Sequence, residues 1–205
     1  RGGGQDLMVL GTHIMDLMRF FTGDARWCHS RIWQGDKRAQ KGDVREGGEG
    51  MGPILGDRLH AQYGFDKGAI GTFATHQASF GAGKRFGLQV YGTKGVVHMN
   101  TGSLPLTLFC EDPSWTPGRG AAWQEISSNG VGKPETLKDA SAHFANVLIV
   151  RDLMESIEKD RPPRGSIDDG RAALEMILAV YESHRLDRAV DLPLKNRKHP
   201  LTMLA

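Results

Sequence analysis

Asp6, His13 and Asp16 fall within about three turns of helical spacing near the start of the 205-residue chain. Separations of seven and three residues bring both carboxylates near the helix face that carries the imidazole. A histidine flanked by carboxylates is held in one tautomer with its basicity raised, which suits proton transfer to or from a reacting oxygen. The same spacing also occurs on ordinary surface helices, where the charges merely pair with one another. Other candidates are scattered. Trp33 stands at the entry of a long loop, where an aromatic face can stack on a sugar ring. His76 lies in mid-strand, and Lys84 and Arg85 sit in a glycine-rich turn that can hold an anionic group. His143 and His184 read as structural helix residues, and Arg19 as the i, i+3 partner of Asp16.

Several familiar chemistries are absent. Gly81-Ala82-Gly83-Lys84-Arg85 lacks the Ser/Thr after Lys and the first glycine of a phosphate loop. No G-x-G-x-x-G follows a strand, so the chain itself carries no dinucleotide fold and no cofactor-binding residues. There is no G-x-S-x-G and no H-E-x-x-H. Cys28 and Cys110 form no C-x-x-C, and no Cys/His spacing suits a metal.

The elements that must position these residues follow from periodicity. Residues 6–22 read as a helix with Leu10, Ile14, Leu17 and Phe21 on one stripe, stopped by Gly23. Gly2-Gly3-Gly4 ahead of it gives either a flexible entry or a close backbone approach. Residues 26–34 read as a strand and 35–56 as a long glycine-rich loop, either a lid or a mobile insertion. Residues 57–65 and 69–79 alternate as a hairpin about Asp66-Lys67-Gly68, with Leu59, Ala61, Tyr63 and Phe65 on one face, and Ile70, Thr72, Ala74, His76 and Ala78 on the other strand's face. Further strands are marked by Phe86, Leu88 and Val90, by Val96–Met99, by Leu104–Cys110 and by Ala122–Ile126. Residues 141–159 form a helix with Phe144, Val147, Val150, Met154 and Ile157 on one face. Ser166 and Asp169 have capping-box spacing for a helix to about Leu186, and Val190–Leu194 is a last strand before a solvated basic tail. The expected fold is α+β, an open and mostly antiparallel sheet of about six or seven strands with three helices on one face. No linker separates two domains. The other sheet face is then solvated or covered by a partner.

Composition bounds the rest. With 26 Lys plus Arg against 24 Asp plus Glu, the net charge of +2 gives no pull toward nucleic acid or an anionic membrane. No apolar run reaches the roughly 18 residues of a membrane span. Glycine, 27 of 205 residues, is nearly double the usual ~7%, which fits a strand-rich fold with many tight turns. The Arg-Gly-Gly-Gly start shows no signal-peptide pattern and reads as the interior of a longer product, with a cytoplasmic setting expected over a periplasmic one.

The segment from Gly2 to Leu17 resembles the start of the C-terminal domain in the Gfo/Idh/MocA oxidoreductase family, which shows GGG and then D-x-G-x-H-x-x-D-L. Phe65-Asp66-Lys67-Gly68, the Gly92-Thr93-Lys94-Gly95 turn, Asp168-Asp169-Gly170 with Ala179–Ser183, and Val190-Asp191-Leu192-Pro193-Leu194 are similar to later family features, in order. The resemblance spans nearly all of residues 1–205 and implies a substrate and dimerisation domain. Its NAD or NADP is bound mainly by an N-terminal Rossmann domain that would precede Arg1, as would the family's Glu-Lys-Pro lysine. It further implies a sugar, polyol or related substrate, His13 as proton donor or acceptor, and a homo-oligomer formed through the open sheet face. The family carboxylate four residues before the histidine is Val9 here, with Asp6 as the available substitute. The expectation is therefore either the substrate half of a dehydrogenase, inactive as an isolated chain, or a non-catalytic relative serving dimerisation or ligand binding.

Overall fold

A computed structural model describes residues 3–76, 87–100, 106–114, 116–139 and 142–205. The chain divides into two compact units, Arg1–Gly81 together with Gly165–Ala205, and the intervening Ala82–Arg164. Both boundaries fall in turn-forming composition, Gly81-Ala82-Gly83 at one and Pro162-Pro163-Arg164-Gly165 at the other, which the expectation of no linker between domains passes over.

The first unit opens with α1 (Gly4–Val9) and α2 (Gly11–Thr22). The single helix expected over 6–22 is thus interrupted at Leu10. The Thr12 hydroxyl bridges the break by donating to the Val9 carbonyl at 2.8 Å. The buried face of α2 is Gly11, Ile14, Met15 and Met18, an i, i+3, i+4, i+7 stripe. It is rotated from the expected Leu10–Ile14–Leu17–Phe21 stripe, and Phe21 is exposed. Two flexible thioethers, Met15 and Met18, fill the space beneath the helix beside Ile14.

Strands β1 (Ala25–Gln34), β2 (Lys37–Arg38), β3 (Val44–Glu46), β4 (Pro53–Leu55), β5 (Arg58–Phe65) and β6 (Ile70–His76) follow. The expected long loop is therefore largely structured. β3 and β4 pair as a hairpin closed by Gly47 N–H donating to the Gly52 carbonyl. β5 buries Leu59, Ala61, Tyr63 and Phe65 as expected. On β6 the faces are reversed from the expectation: Phe73 points into the core, while Ile70, Thr72 and Ala74 are exposed. A period of two identifies a strand but not which of its faces is covered.

The second unit holds β7 (Gly87–Gly92), β8 (Gly95–Asn100), β9 (Leu106–Cys110), β10 (Trp123–Ser127), β11 (Gly130–Val131) and α3 (Ala142–Glu158). Its sheet order is β11-β10-β9-β8-β7, antiparallel throughout. The Gly92–Gly95 turn is where the sequence places it. The apolar face expected on α3 is not buried: Val150 and Met154 are each 56% exposed and Ile157 74%.

The chain returns to the first unit through α4 (Ile167–Leu186) and β12 (Val190–Asp191). The Ser166 capping box is formed, with the Asp169 amide donating to Ser166 Oγ at 3.2 Å and the Ser166 amide to Asp169 Oδ2 at 3.0 Å. The first unit's sheet has the order β12-β1-β5-β6, with β2 also on β1. β12 pairs with β1 at Trp27 and Cys28, and β2 pairs at Trp33 and Gln34. That leaves a gap in the outer edge of β1 at Ser30 and Ile32, and α4 fills it. Ser30 N–H donates to Ser183 Oγ at 2.9 Å, Ser30 Oγ to the Val180 carbonyl at 2.6 Å, and Ile32 N–H to His184 Nδ1 at 3.2 Å. Tyr63 Oη donates to the Met176 carbonyl at 3.1 Å. Around these bonds pack Ile32, Leu59, Met176, Ile177 and Val180, all buried. The terminal segment is docked rather than loose: Lys195, Arg197 and Lys198 are exposed, but Leu201 and Leu204 are buried. Among the described residues the open antiparallel α+β architecture stands, its main ladders being two sheets of five strands.

Candidate active site at the junction of the first two helices

The glycines that open α1 are there for close approach. Gly3 has φ 57°, and Gly4 N–H donates to the Gly56 carbonyl at 3.1 Å. A Cβ at Gly4 would run into the Leu55 backbone. Gly56, itself at φ 78°, lies so close to Ile32 and Trp33 that it too admits no Cβ. The start of α1 is thereby locked against β4 and the turn into β5. Gln5 adds a second tie, its Oε1 accepting from Gly48 N–H at 3.1 Å in the tip of the β3–β4 hairpin.

On this frame Asp6 is buried, 8% exposed. Its Oδ2 accepts from the Thr75 hydroxyl of β6 at 3.4 Å, and its Oδ1 is buried without a hydrogen-bond partner. His13, in the first turn of α2, is exposed to solvent. Asp16 is also exposed and lies 3.7 Å from Arg19 Nη1. Arg19 is held chiefly elsewhere, by Asp24 Oδ1 at 2.9 Å and by Asp169 Oδ1 at 3.2 Å. It ties α2 to the first turn of α4 rather than serving Asp16 alone.

The remaining sequence candidates lie apart from this group. Trp33 faces the uncovered side of the first unit's sheet, with the Arg58 guanidinium 5.4 Å from its ring centroid and the His60 ring edge-on at 6.1 Å. His76, half-buried, pairs across the sheet with Arg58. Strand alternation places it on the side opposite Thr75 and Asp6. Lys84 and Arg85 fall outside the described residues. His184 is buried and structural, and His143 is exposed on α3. Cys28 is buried beside Tyr63, and burial pushes its thiol up to about 12, so it is inert at neutral pH. Among the described residues no group of three or more His, Cys, Asp or Glu is disposed to hold a metal, and no helix is long and apolar enough to cross a membrane.

Thr75 and Gln5 are the site residues that sequence reasoning misses. A signal for Thr75 does exist: once the covered face of β6 is known to carry Phe73, Thr75 is the next residue on it.

Comparison with known proteins places this arrangement in context. The family described as "Oxidoreductase family, C-terminal alpha/beta domain" matches residues 1–192. Similar solved structures include an NAD binding oxidoreductase from Klebsiella pneumoniae, with TM-score 0.66 and 18% identity over 91% of this chain and 50% of that one. Levoglucosan dehydrogenase, in complex with NADH and levoglucosan, has the same score, identity and coverage. An aldose-aldose oxidoreductase from Caulobacter crescentus, complexed with glycerol, has TM-score 0.61 and 21% identity over 93% of this chain and 48% of that one. At these identities the likeness is one of fold, and the chain spans about half the length of the structures it matches. No curated protein matches the sequence. The match over 192 residues, running from the glycine start of α1 through β12, shows that the chain belongs to the Gfo/Idh/MocA oxidoreductase family as its C-terminal α/β domain.

Proposed function

We propose that this chain is the substrate-handling half of an NAD(P)-dependent oxidoreductase acting on a sugar, polyol or related compound, with His13 moving the proton. The observation that carries the reading is the exposed imidazole of His13 on the first turn of α2, within a domain of this oxidoreductase family. In oxidising an alcohol, the hydroxyl proton passes to the His13 imidazole as the carbon gives up its hydrogen with both electrons and the carbonyl forms. In reduction the same imidazole returns the proton. NAD or NADP, held mainly by residues outside this chain, supplies the hydride acceptor or donor. Among the described residues every strand pair is antiparallel, so these elements offer no parallel βαβ unit for a dinucleotide. Val9 leaves the usual carboxylate position apolar, and Asp6 and Asp16 are the carboxylates on the same two helices. The test is His13→Ala in the protein carrying its cofactor domain. Turnover falls by about 10²–10⁴, well beyond any change in stability. Unchanged turnover overturns the assignment.

We also infer that the uncovered face of the first unit's sheet serves a homo-oligomer. His29, His60, Gln62, Thr72 and Ala74 are exposed there, and Ile70 is 59% exposed. A polar face with an aromatic at one end (Trp33 under Arg58) suits a self-complementary contact. Sedimentation of the chain should give a dimer or larger. A monomer at tens of micromolar would remove this part of the reading and leave the catalytic part standing.

A further inference from the structure

Beyond residue 192, where the family match ends, the chain lies strapped along α4. Leu194 N–H donates to Glu175 Oε1 at 2.9 Å, and Arg197 Nη1 donates to the same oxygen at 3.0 Å. Asn196 Nδ2 reaches Glu182 Oε2 at 3.4 Å. A 3₁₀ turn, Pro200–Met203, then packs on both α4 and β4 and buries Leu201. Leu204 is buried just after it. β4 is the strand on which Gly4 locks the start of α1, through the Leu55 backbone. The strap therefore backs the strand that fixes the candidate site.

His199 fastens the strap. Its Nδ1 accepts from Leu201 N–H at 3.3 Å and so caps the turn. Its carbonyl accepts from the Thr202 amide at 3.1 Å and from the Thr202 hydroxyl at 2.7 Å. The ring lies against Tyr181 of α4, the centroids 5.8 Å apart. With Nδ1 accepting, the ring is neutral and its proton is on Nε2, which is buried without a hydrogen-bond partner. An unmet buried donor is costly, so the ring is held by packing and one cap bond. A proton arriving at Nδ1 confronts the Leu201 N–H. The cap bond is lost, and a cation is left on a half-buried ring. The groups around it offer no compensating anion. α4 presents Tyr181, while its Glu182 is taken by Arg185 and Asn196. β4 is Pro53-Ile54-Leu55, and its partner β3 brings Arg45 into electrostatic reach of Tyr181. Lys198 precedes the ring in its own segment. Burial lowers the basicity of His199, and no charged neighbour among the described residues offsets it.

We propose that residues 193–205 are a proton-released strap. With His199 neutral it braces β4 and the glycine start of α1; with His199 charged the 3₁₀ turn lifts from α4 and β4 and loosens both.

The experiment is amide hydrogen exchange of the 205-residue chain, read as protection relative to the free-peptide rate at each pH. Wild type, His199→Asn and His199→Ala are compared at about pH 7.5 and about pH 5.5, either side of the ordinary histidine range. In wild type, protection over residues 200–204 should fall by about tenfold on acidification. Protection of the Leu7 and Leu10 amides, which bond the Gly3 and Asp6 carbonyls in α1, should fall with it. Asparagine caps through a side chain that does not titrate, so His199→Asn should give the same protection at both pH values, whatever its level. His199→Ala should be poorly protected at both. A wild-type strap equally protected at both pH values overturns the proposal. So does a pH response that survives in His199→Asn, which assigns it to another group such as His184. Loosening of the strap with α1 unmoved overturns the brace. No arm involves cofactor or His13, so the outcome is independent of the dehydrogenase reading.

Discussion

The imidazole of His184 joins three elements of the first unit. Its Nδ1 accepts from the Ile32 amide of β1 at 3.2 Å, and its Nε2 lies 2.9 Å from the Ala39 carbonyl that follows β2. With Nδ1 accepting, the proton sits on Nε2 and is donated to Ala39, so the ring is neutral. Burial holds its basicity below that of an ordinary histidine, opposed by the bond to Ala39 and aided by the nearby Arg38 and Arg31. The unfolded chain therefore takes up this proton at a higher pH than the folded one. Stability from His184 is complete above about pH 6.5 and declines as pH falls toward the lower folded value. His199, also lowered by burial, adds to the same slope. Urea unfolding between pH 7.5 and 5 should show this decline, and His184→Gln should flatten it in part. A slope unchanged by the substitution would remove His184 from the account.

The neighbouring serine serves the same gap. Ser183 Oγ accepts from the Ser30 amide at 2.9 Å and donates to the Arg188 carbonyl at 2.7 Å. Ser183→Ala strands a buried amide on β1 and should cost about 1–3 kcal/mol. Ser183→Thr keeps the hydroxyl and should cost less than Ser183→Ala. Denaturant midpoints at constant m-value measure both.

Much of this framework is legible in the sequence, for reasons that differ by element. The capping box at Ser166 and Asp169 is a local rule, needing only three residues, and it holds. The inward face of β5 is strongly patterned and holds as well. The faces of β6 come out reversed because apolar Ile70 and Ala74 stand on one face while Phe73 alone marks the other between Gly71 and Thr75, and pairing with β5 decides between them. The break at Leu10 has a local signal, since Val9, Gly11 and Thr12 around it are weak helix formers, but the apolar stripe through Leu10 and Ile14 hides it. Contacts far away in sequence fix the first of the two helices, where Gly4 meets Leu55 and Gly56. Spacing finds His13 and Asp6, but burial separates them: one is open to solvent and the other nearly closed. Thr75 has a signal only once the covered face of β6 is known from Phe73, since its role exists only when α1 lies on β6.

Gly56 tests whether that remote contact matters. Its φ of 78° is unfavourable for any other residue, and a Cβ there would press on the Ile32 side chain and the Trp33 carbonyl. Gly56→Ala should cost about 2–4 kcal/mol, combining a left-handed backbone with overpacking. Gly35, also at positive φ (58°) but with nothing near its added Cβ, should cost only about 1 kcal/mol when changed to Ala. If the two substitutions cost the same, close packing at Gly56 is not what fixes α1.

Asp16 and Arg19 separate chemistry from scaffolding on one helix. Asp16 is exposed and 3.7 Å from Arg19, a geometry contributing under about 0.5 kcal/mol at a surface. Asp16→Asn should therefore leave the unfolding midpoint nearly unchanged. Any loss of turnover in that variant then reports on substrate, not on folding. Arg19 is the reverse case. Its guanidinium bonds Asp24 and Asp169 at 2.9 and 3.2 Å, and its side chain is only 14% exposed. A lysine cannot span both carboxylates with the same planar fork, so Arg19→Lys should destabilise by about 1–2 kcal/mol. That loss should grow smaller at 1 M salt, where ion pairs are screened to about 3 Å. If Arg19→Lys is silent while Asp16→Asn destabilises, Asp16 is the scaffold and Arg19 is not. His13 would then sit on a helix anchored through Asp16.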